Sequence, residues 1–287
     1  MKKLIVMSMI ACMALSMTAC GSKEQTAAPA EETETPAAGE ETEGAEAETE
    51  TPSAGAEEAS GDKTWIIAMD TVFRPFEFTN ENGEFVGIDV DVMKAVAEDQ
   101  GFSYEIQSLG WDAAVAAVQA GQADGLIAGA SITDERKESG WIFSDGYYNA
   151  TQTFVVPEGS DIKSFEDLAG KNVAVKNGTA GADFAESLKE EYGFTTTVFE
   201  DSPTMYQDVI LGNSAACVED TPIMADSIKV GSLALQIPEG MESDGAPYGF
   251  AIMNEANQEL LDMFNAGLAN IRENGTYDEI IAKYLGE

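Results

Sequence analysis

Ala123-Asp124-Gly125-Leu126-Ile127-Ala128-Gly129-Ala130-Ser131-Ile132-Thr133-Asp134-Glu135-Arg136-Lys137 runs from an apolar segment straight into a loop of small residues, hydroxyls and one arginine. The apolar part, 125–130, reads as a buried strand. The loop admits two readings. Small residues let a ligand approach the backbone, and a guanidinium offers a planar fork that matches a carboxylate bidentately. Equally, a strand can end in a polar turn with a surface arginine. Working upstream, 64–69 reads as a buried strand and 104–107 as a second. Residues 89–100 read as a helix with Val92, Met93 and Val96 on one face and acidic residues in its first turn. Residues 112–120 form a second helix, ended by Gly121. The order β-α-β-α-β predicts a parallel sheet flanked by helices.

Downstream the pattern starts again. Residues 165–168 read as a short helical turn, and 172–176, 195–199 and 215–218 as strands. A helix opening at Gly178-Thr179 and another over 203–211 separate them. A second α/β lobe is thus expected over 151–245. Two helices close the chain, one over 257–273 and one starting at Thr276, with Asn274-Gly275 between them. Two α/β lobes with returning helices predict a bilobal clamp. Its ligand would sit between the lobes, near the carboxyl ends of the strands.

The two ends of the chain differ from its middle. Residues 1–20 read as a secretory signal with Lys2 and Lys3 before an apolar stretch too short to span a bilayer. Residues 21–62 form an acidic Glu/Thr/Ala/Pro/Gly segment, with thirteen acidic residues against Lys23 alone and no aromatic residue. Such a segment cannot bury a core and reads as a disordered tether, with a reach of roughly 35 Å. The formal net charge of −37 argues against nucleic acid or anionic lipid as partner. Cys217 is the one cysteine beyond the signal and Cys20, so no disulfide is expected within the folded part. The chain has no histidine, which removes Ser-His and Cys-His nucleophile pairs and the commonest metal ligand. The acidic pair Asp89/Asp91 is explained by its place in a helix first turn, so no metal and no cofactor are expected.

Several segments together resemble the polar amino acid-binding proteins that feed ABC importers (family 3 solute-binding proteins). They are Asp70-Thr71-Val72-Phe73-Arg74-Pro75-Phe76-Glu77-Phe78, Gly87-Ile88-Asp89-Val90-Asp91-Val92, the 131–137 loop, Phe143-Ser144-Asp145-Gly146-Tyr147-Tyr148 and Arg272-Glu273-Asn274-Gly275-Thr276-Tyr277-Asp278-Glu279-Ile280. Asp220-Thr221-Pro222 and Val173-Ala174-Val175-Lys176-Asn177-Gly178-Thr179 add a likeness to glutamine-binding proteins. Met17-Thr18-Ala19-Cys20 resembles a bacterial lipobox, with Met17 where leucine is usual. The resemblance implies a type II periplasmic-binding fold with two α/β lobes joined by a two-strand hinge. Lobe 1 would comprise 63–146 plus 250–287, lobe 2 would comprise 151–245, and the hinges would lie near 147–150 and 246–249. It implies a monomeric, non-enzymatic lipoprotein, diacylated at Cys20 and held outside the cell membrane, most naturally on a Gram-positive surface. Its partners would be a free amino acid and a permease with its ATPase.

Carried over residue by residue, the resemblance gives Arg136 the ligand α-carboxylate, helped by Ser131 and by the amides of Thr179 and Ala180 at a helix start. Asp220, the Gly129 carbonyl and the Ser131 hydroxyl would hold the α-ammonium, with Ala130 between them in the loop. Phe73 and Trp111 would sandwich the aliphatic part, and Asp70 and Lys176 would face the side-chain end. Local roles compete with these. Asp70 can cap a turn, Trp111 can be core, Lys176 can be surface, and Asp220 can be a helix N-cap with a proline in the first turn. One acceptor and one donor at the far end suit a carboxamide, so glutamine is expected. Glu219, where glutamine binders carry histidine, would add negative charge and suit a more cationic or larger side chain, or equally point to solvent; arginine, cystine or another amino acid is the alternative specificity. Ala180 replaces a glycine and keeps its N–H. A ligand-presenting sensor lipoprotein and a cyclohexadienyl dehydratase-like enzyme are the readings from other classes.

Overall fold

A computed structural model describes residues 63–286 of the 287-residue chain. The expected signal, lipobox cysteine and tether, all within 1–62, fall outside the described residues. The two runs of alternating strand and helix build two five-stranded sheets. In the first, Thr64–Met69 lies between Ser103–Ser108 and Gly125–Leu126, parallel to both. Ala251–Ile252 and Ile142–Phe143 complete it. In the second, Asn172–Lys176 lies between Thr195–Phe199 and Ala216–Asp220, again parallel, and Gln152–Pro157 and Leu235–Gln236 complete it.

Both sheets are therefore mixed, where sequence patterning predicts parallel ones. The reason is the route of the chain. Tyr148–Ala150 pairs antiparallel with Ala246–Tyr248, Tyr148 opposite Tyr248. Gln152–Pro157 and Ala251–Ile252 follow those two segments directly and enter their sheets against the parallel strands. A second difference falls at the loop quoted first. Only Gly125–Leu126 of the expected 125–130 strand joins the ladder. Gly129 then turns the chain with φ at +56°, and Ser131 bridges to Tyr248.

Helical periodicity packs the first lobe. Ile88, Val92, Met93 and Val96 of the Ile88–Gln100 helix share a core with Leu260, Leu261, Phe264 and Leu268 of the Gln258–Glu273 helix. Phe250 stacks on Phe264 with ring centroids 4.6 Å apart. The second sheet is covered on both faces. Phe154, Val173, Val175 and Phe194 pack on one side, and Met205, Val209, Cys217 and Met224 on the other. That double burial is why Gln152–Pro157, Asn172–Lys176 and Ala216–Asp220 carry unbroken buried runs rather than alternating ones. Among the described residues no helix is long and apolar enough to cross a membrane. Phe264→Ala removes a fully buried ring from the first core and is expected to cost about 3–5 kcal/mol in urea unfolding. A change within a few tenths would place the core elsewhere.

Candidate functional site

The parallel strands of both sheets bring their carboxyl ends toward one gap. Asp70 directly follows Thr64–Met69, and Gly129 to Ser131 follow Gly125–Leu126. From the other side, Lys176 ends Asn172–Lys176, and Glu219 and Asp220 end Ala216–Asp220. Two helices start here as well, Trp111–Gln119 and Ala180–Tyr192, the second capped by the Thr179 hydroxyl. The gap is a narrow cavity of about 20 Å³. It is lined by Asp70, Phe73, Trp111, Ala128, Gly129, Ser131, Arg136, Lys176, Thr179, Ala180, Glu219 and Asp220. Ala130 is not on that wall. It is buried beside it, and its carbonyl accepts from the Gly249 N–H at 2.9 Å. A larger recess of about 380 Å³ runs along Tyr148–Ala150 and Ala246–Tyr248, and it lacks a convergent set of charges.

Charges meet across the cavity. Lys176 Nζ lies 2.6 Å from Asp70 Oδ2, with both side chains nearly fully buried. Burial works against the Lys176 charge, but Asp70, Glu219 and Glu77 outweigh it and hold its pKa above the ordinary value. Lys176 is thus not a surface lysine. Asp70 also accepts from the Thr71 N–H, so its turn-capping role and its ion pair coexist. Arg136 donates through Nη1 to the Ser131 carbonyl at 2.9 Å and through Nη2 to the Gly178 carbonyl at 3.3 Å. Its guanidinium rests about 5 Å from the rings of both Trp111 and Trp141. The Trp111 indole N–H reaches the same Gly178 carbonyl at 3.1 Å.

Asp220 occupies the N-cap position of the Thr221–Gly231 helix, yet its side chain makes no capping bond. It accepts instead from the Tyr248 hydroxyl and from Gln152 Nε2. Burial, then the neighbouring Glu219 charge, raises its pKa to about 6 against those two donors and Arg136. Glu219 is held as firmly. Its Oε2 accepts from Ser202 and Tyr206 hydroxyls, both at 2.7 Å, and its Oε1 from the Asp220 N–H at 2.9 Å. The group that sequence reading marks as an extra negative charge is thus spent largely on its own scaffold.

Several residues that shape this site carry no local sequence signal for it. Tyr248, Gln152, Ser202 and Tyr206 act on Asp220 and Glu219 from up to 68 positions away. Trp141 falls outside any helical period, and its N–H closes on the Arg136 carbonyl. Asp89 reads as a helix-dipole residue in the sequence, but it is fully buried and accepts from the Gly129 N–H at 2.8 Å. Its place in Gly87-Ile88-Asp89-Val90-Asp91-Val92 was the available hint.

Residues 65–287 match the family described as bacterial extracellular solute-binding proteins, family 3. A probable histidine-binding protein from Neisseria gonorrhoeae is 30% identical over 295 residues, covering 100% of this chain and 97% of its own length. Among solved structures, the arginine-, lysine-, histidine-binding protein ArtJ of Geobacillus stearothermophilus is 32% identical, with a TM-score of 0.72 over 78% of this chain and 96% of its own. The second substrate-binding domain of GlnP from Lactococcus lactis, in an open conformation, is 42% identical, with a TM-score of 0.55 over 78% and 96% of the two chains.

The cavity wall at Gly129 has a direct test. A Cβ there would lie 2.3 Å from Phe73 Cε1, on a backbone at positive φ. Gly129→Ala is expected to lower stability by about 1–3 kcal/mol in thermal unfolding. An unchanged midpoint would show that the Phe73 ring does not constrain this corner.

Proposed function

The chain belongs to family 3 of the bacterial extracellular solute-binding proteins, and from that premise we propose that it captures a polar amino acid, glutamine by preference, between its two lobes. The observation that carries this is the set of buried charges around one cavity: Arg136, Asp220, Asp70 and Lys176. Arg136, beside the Ala180–Tyr192 helix start, suits an α-carboxylate. Asp220, already oriented by Tyr248 and Gln152, suits an α-ammonium. Phe73 and Trp111 would enclose the carbon chain and exclude water, which strengthens the polar contacts.

The choice of side chain rests on Asp70 and Lys176. Their direct contact leaves no room for a ligand, so a ligand must part them. Each buried charge then needs a new partner. A carboxamide supplies both, its oxygen to Lys176 and its N–H to Asp70. A cationic end would satisfy Asp70 and leave Lys176 opposed. Arginine is the second reading because two carboxylates, Asp70 and Glu219, act on the single Lys176 charge. Ligand contacts both lobes only when they meet, so ligand would shift the population toward closure about the paired segments Tyr148–Ala150 and Ala246–Tyr248. We further propose that lobe 1 is 63–146 plus 250–287 and lobe 2 is 151–245. Diacylated Cys20 and the 21–62 tether would hold the protein at the outer membrane face, where it hands its ligand to a permease and its ATPase.

Calorimetric titration of the protein, refolded to strip carried-over ligand, against the twenty amino acids and cystine tests the reading. One-to-one binding led by glutamine is expected, and arginine above glutamine would transfer the site to the second reading. Arg136→Ala is expected to weaken every amino acid at least about a hundredfold, and retained tight binding would misplace the carboxylate. Lys176→Ala is expected to reorder the side-chain preference, and an unchanged order would remove Lys176 from specificity. Ammonium binding favours ionised Asp220, so affinity should fall as pH drops through about 6, where burial has raised that carboxyl. A flat profile between neutral pH and about pH 5 would free the ammonium from Asp220.

A further inference from the structure

Behind one wall of the cavity lie two carboxyl groups with no exposed surface, Glu77 and Asp89. Asp89 Oδ2 accepts from the Gly129 N–H and from the Tyr147 hydroxyl, each at 2.8 Å. The backbone of Glu77 is bonded in both directions to Phe73, closing the turn that presents the Phe73 ring. Phe73 in turn packs on Gly129, so the two carboxyls stand behind the two halves of one surface. Among the described residues, Glu77 Oε1, Glu77 Oε2 and Asp89 Oδ1 face no N–H or O–H donor. The Asp89 N–H donates to the carbonyl of Phe76, the residue before Glu77, at 2.9 Å, and two buried, ionised carboxylates brought together there would carry a large desolvation and repulsion penalty. One proton between them removes a charge and supplies the missing donor.

We propose that Glu77 and Asp89 share one proton, with Glu77 donating to Asp89, and that this bond positions the Phe73 turn against the Gly129 corner. The positioning role rests on the amino acid-binding reading, whereas the shared proton does not. Asp70 and Lys176 face Glu77 from the cavity. Tyr147 faces both carboxyls, and Tyr277 of the Thr276–Leu285 helix faces Asp89. Burial, then the Asp89 and Asp70 charges, pushes Glu77 well above the usual carboxylate range, and Lys176 opposes this only in part. Burial raises Asp89 to about 6, against the Gly129 N–H, the Tyr147 hydroxyl and Glu77. An acid whose pKa is raised on folding holds its proton more tightly in the folded state. Stability therefore declines as pH rises from the ordinary carboxylate range through the raised value. Glu77→Gln keeps a donor toward Asp89 and cannot titrate.

Infrared spectra of the full chain at about pH 8, above the usual range of every free carboxyl group, should show a protonated carboxylic acid that disappears in Glu77→Gln. Between neutral pH and about pH 9, the thermal midpoint of the wild type should fall more steeply than that of Glu77→Gln. No acid band, or a band and a slope shared by both proteins, overturns the shared proton. Titration with L-glutamine and L-arginine near neutral pH tests positioning. Asp89→Asn should weaken the ligand that binds about tenfold, and Glu77→Gln less than about twofold. Equal binding by all three proteins overturns the positioning role. If neither amino acid binds the wild type, the functional reading fails, while the infrared and thermal results still decide the proton.

Discussion

An ammonium and a carboxylate buried against each other, from opposite sides of a cavity, constrain everything around them. Lys176 and Asp70 come from the carboxyl ends of central strands in different sheets, 106 residues apart. Neither charge could be buried alone without a penalty of several kcal/mol. Their contact exists only when the two sheets present their strand ends to one another, so it joins lobe geometry to cavity chemistry. It does not follow that the pair adds much net stability, because its attraction mainly offsets its own desolvation. Its consequence is geometric. The Arg74–Asp226 bridge, at 2.7 Å, likewise links the segment after Thr64–Met69 to the helix after Ala216–Asp220, but with Arg74 half exposed it contributes about 1 kcal/mol or less.

The remaining charges obey the same constraint with different partners. Glu219 takes two hydroxyls and a backbone N–H; Asp220 takes a hydroxyl and an amide. These donors fix the side chains of two adjacent acidic residues, one toward Ser202 and Tyr206 and the other toward Tyr248 and Gln152. Asp220 keeps a raised pKa of about 6, so it stays ionised at neutral pH while remaining sensitive to mild acid. Arg136 is placed by the Ser131 and Gly178 carbonyls and by two indole rings rather than by a carboxylate. Among the described residues its guanidinium forms no direct ion pair, although Asp220, Asp183 and Glu135 lie near enough to favour its charge.

Much of the architecture was readable from local pattern. The strand pairs at 64–69 with 104–107 and at 172–176 with 195–199 appear within a residue or so of their expected bounds. Residues 64–69 and 172–176 are buried apolar runs, and 104–107 and 195–199 are half-exposed segments rich in β-branched and aromatic residues. The helix over 89–100 likewise follows from its 3.6-residue spacing. Gln152–Pro157 and Ala251–Ile252 were not readable as antiparallel members, since strand direction depends on how the chain re-enters a sheet. The cavity residues were legible only through spaced motifs that fall in a family's order. Trp141, Gln152, Tyr206 and Tyr248 belong to no such local code, and Asp89 has an adequate local explanation that conceals its contact with Gly129.

The amino-acid sequence by itself determined the two α/β lobes, the absence of histidine chemistry, the strongly acidic character and the residue types available for recognition. Those are properties of periodicity and composition, carried by neighbours in the chain. The tertiary structure decided which carboxylates are neutralised, which remain aimed into the cavity, and why Gly129 can sit only where it does. Asp70 meets Lys176, Asp220 meets Tyr248 and Asp89 meets Gly129 across 106, 28 and 40 positions. Burial sets the energetic weight of each charge, and burial is a property of the packed molecule rather than of any segment.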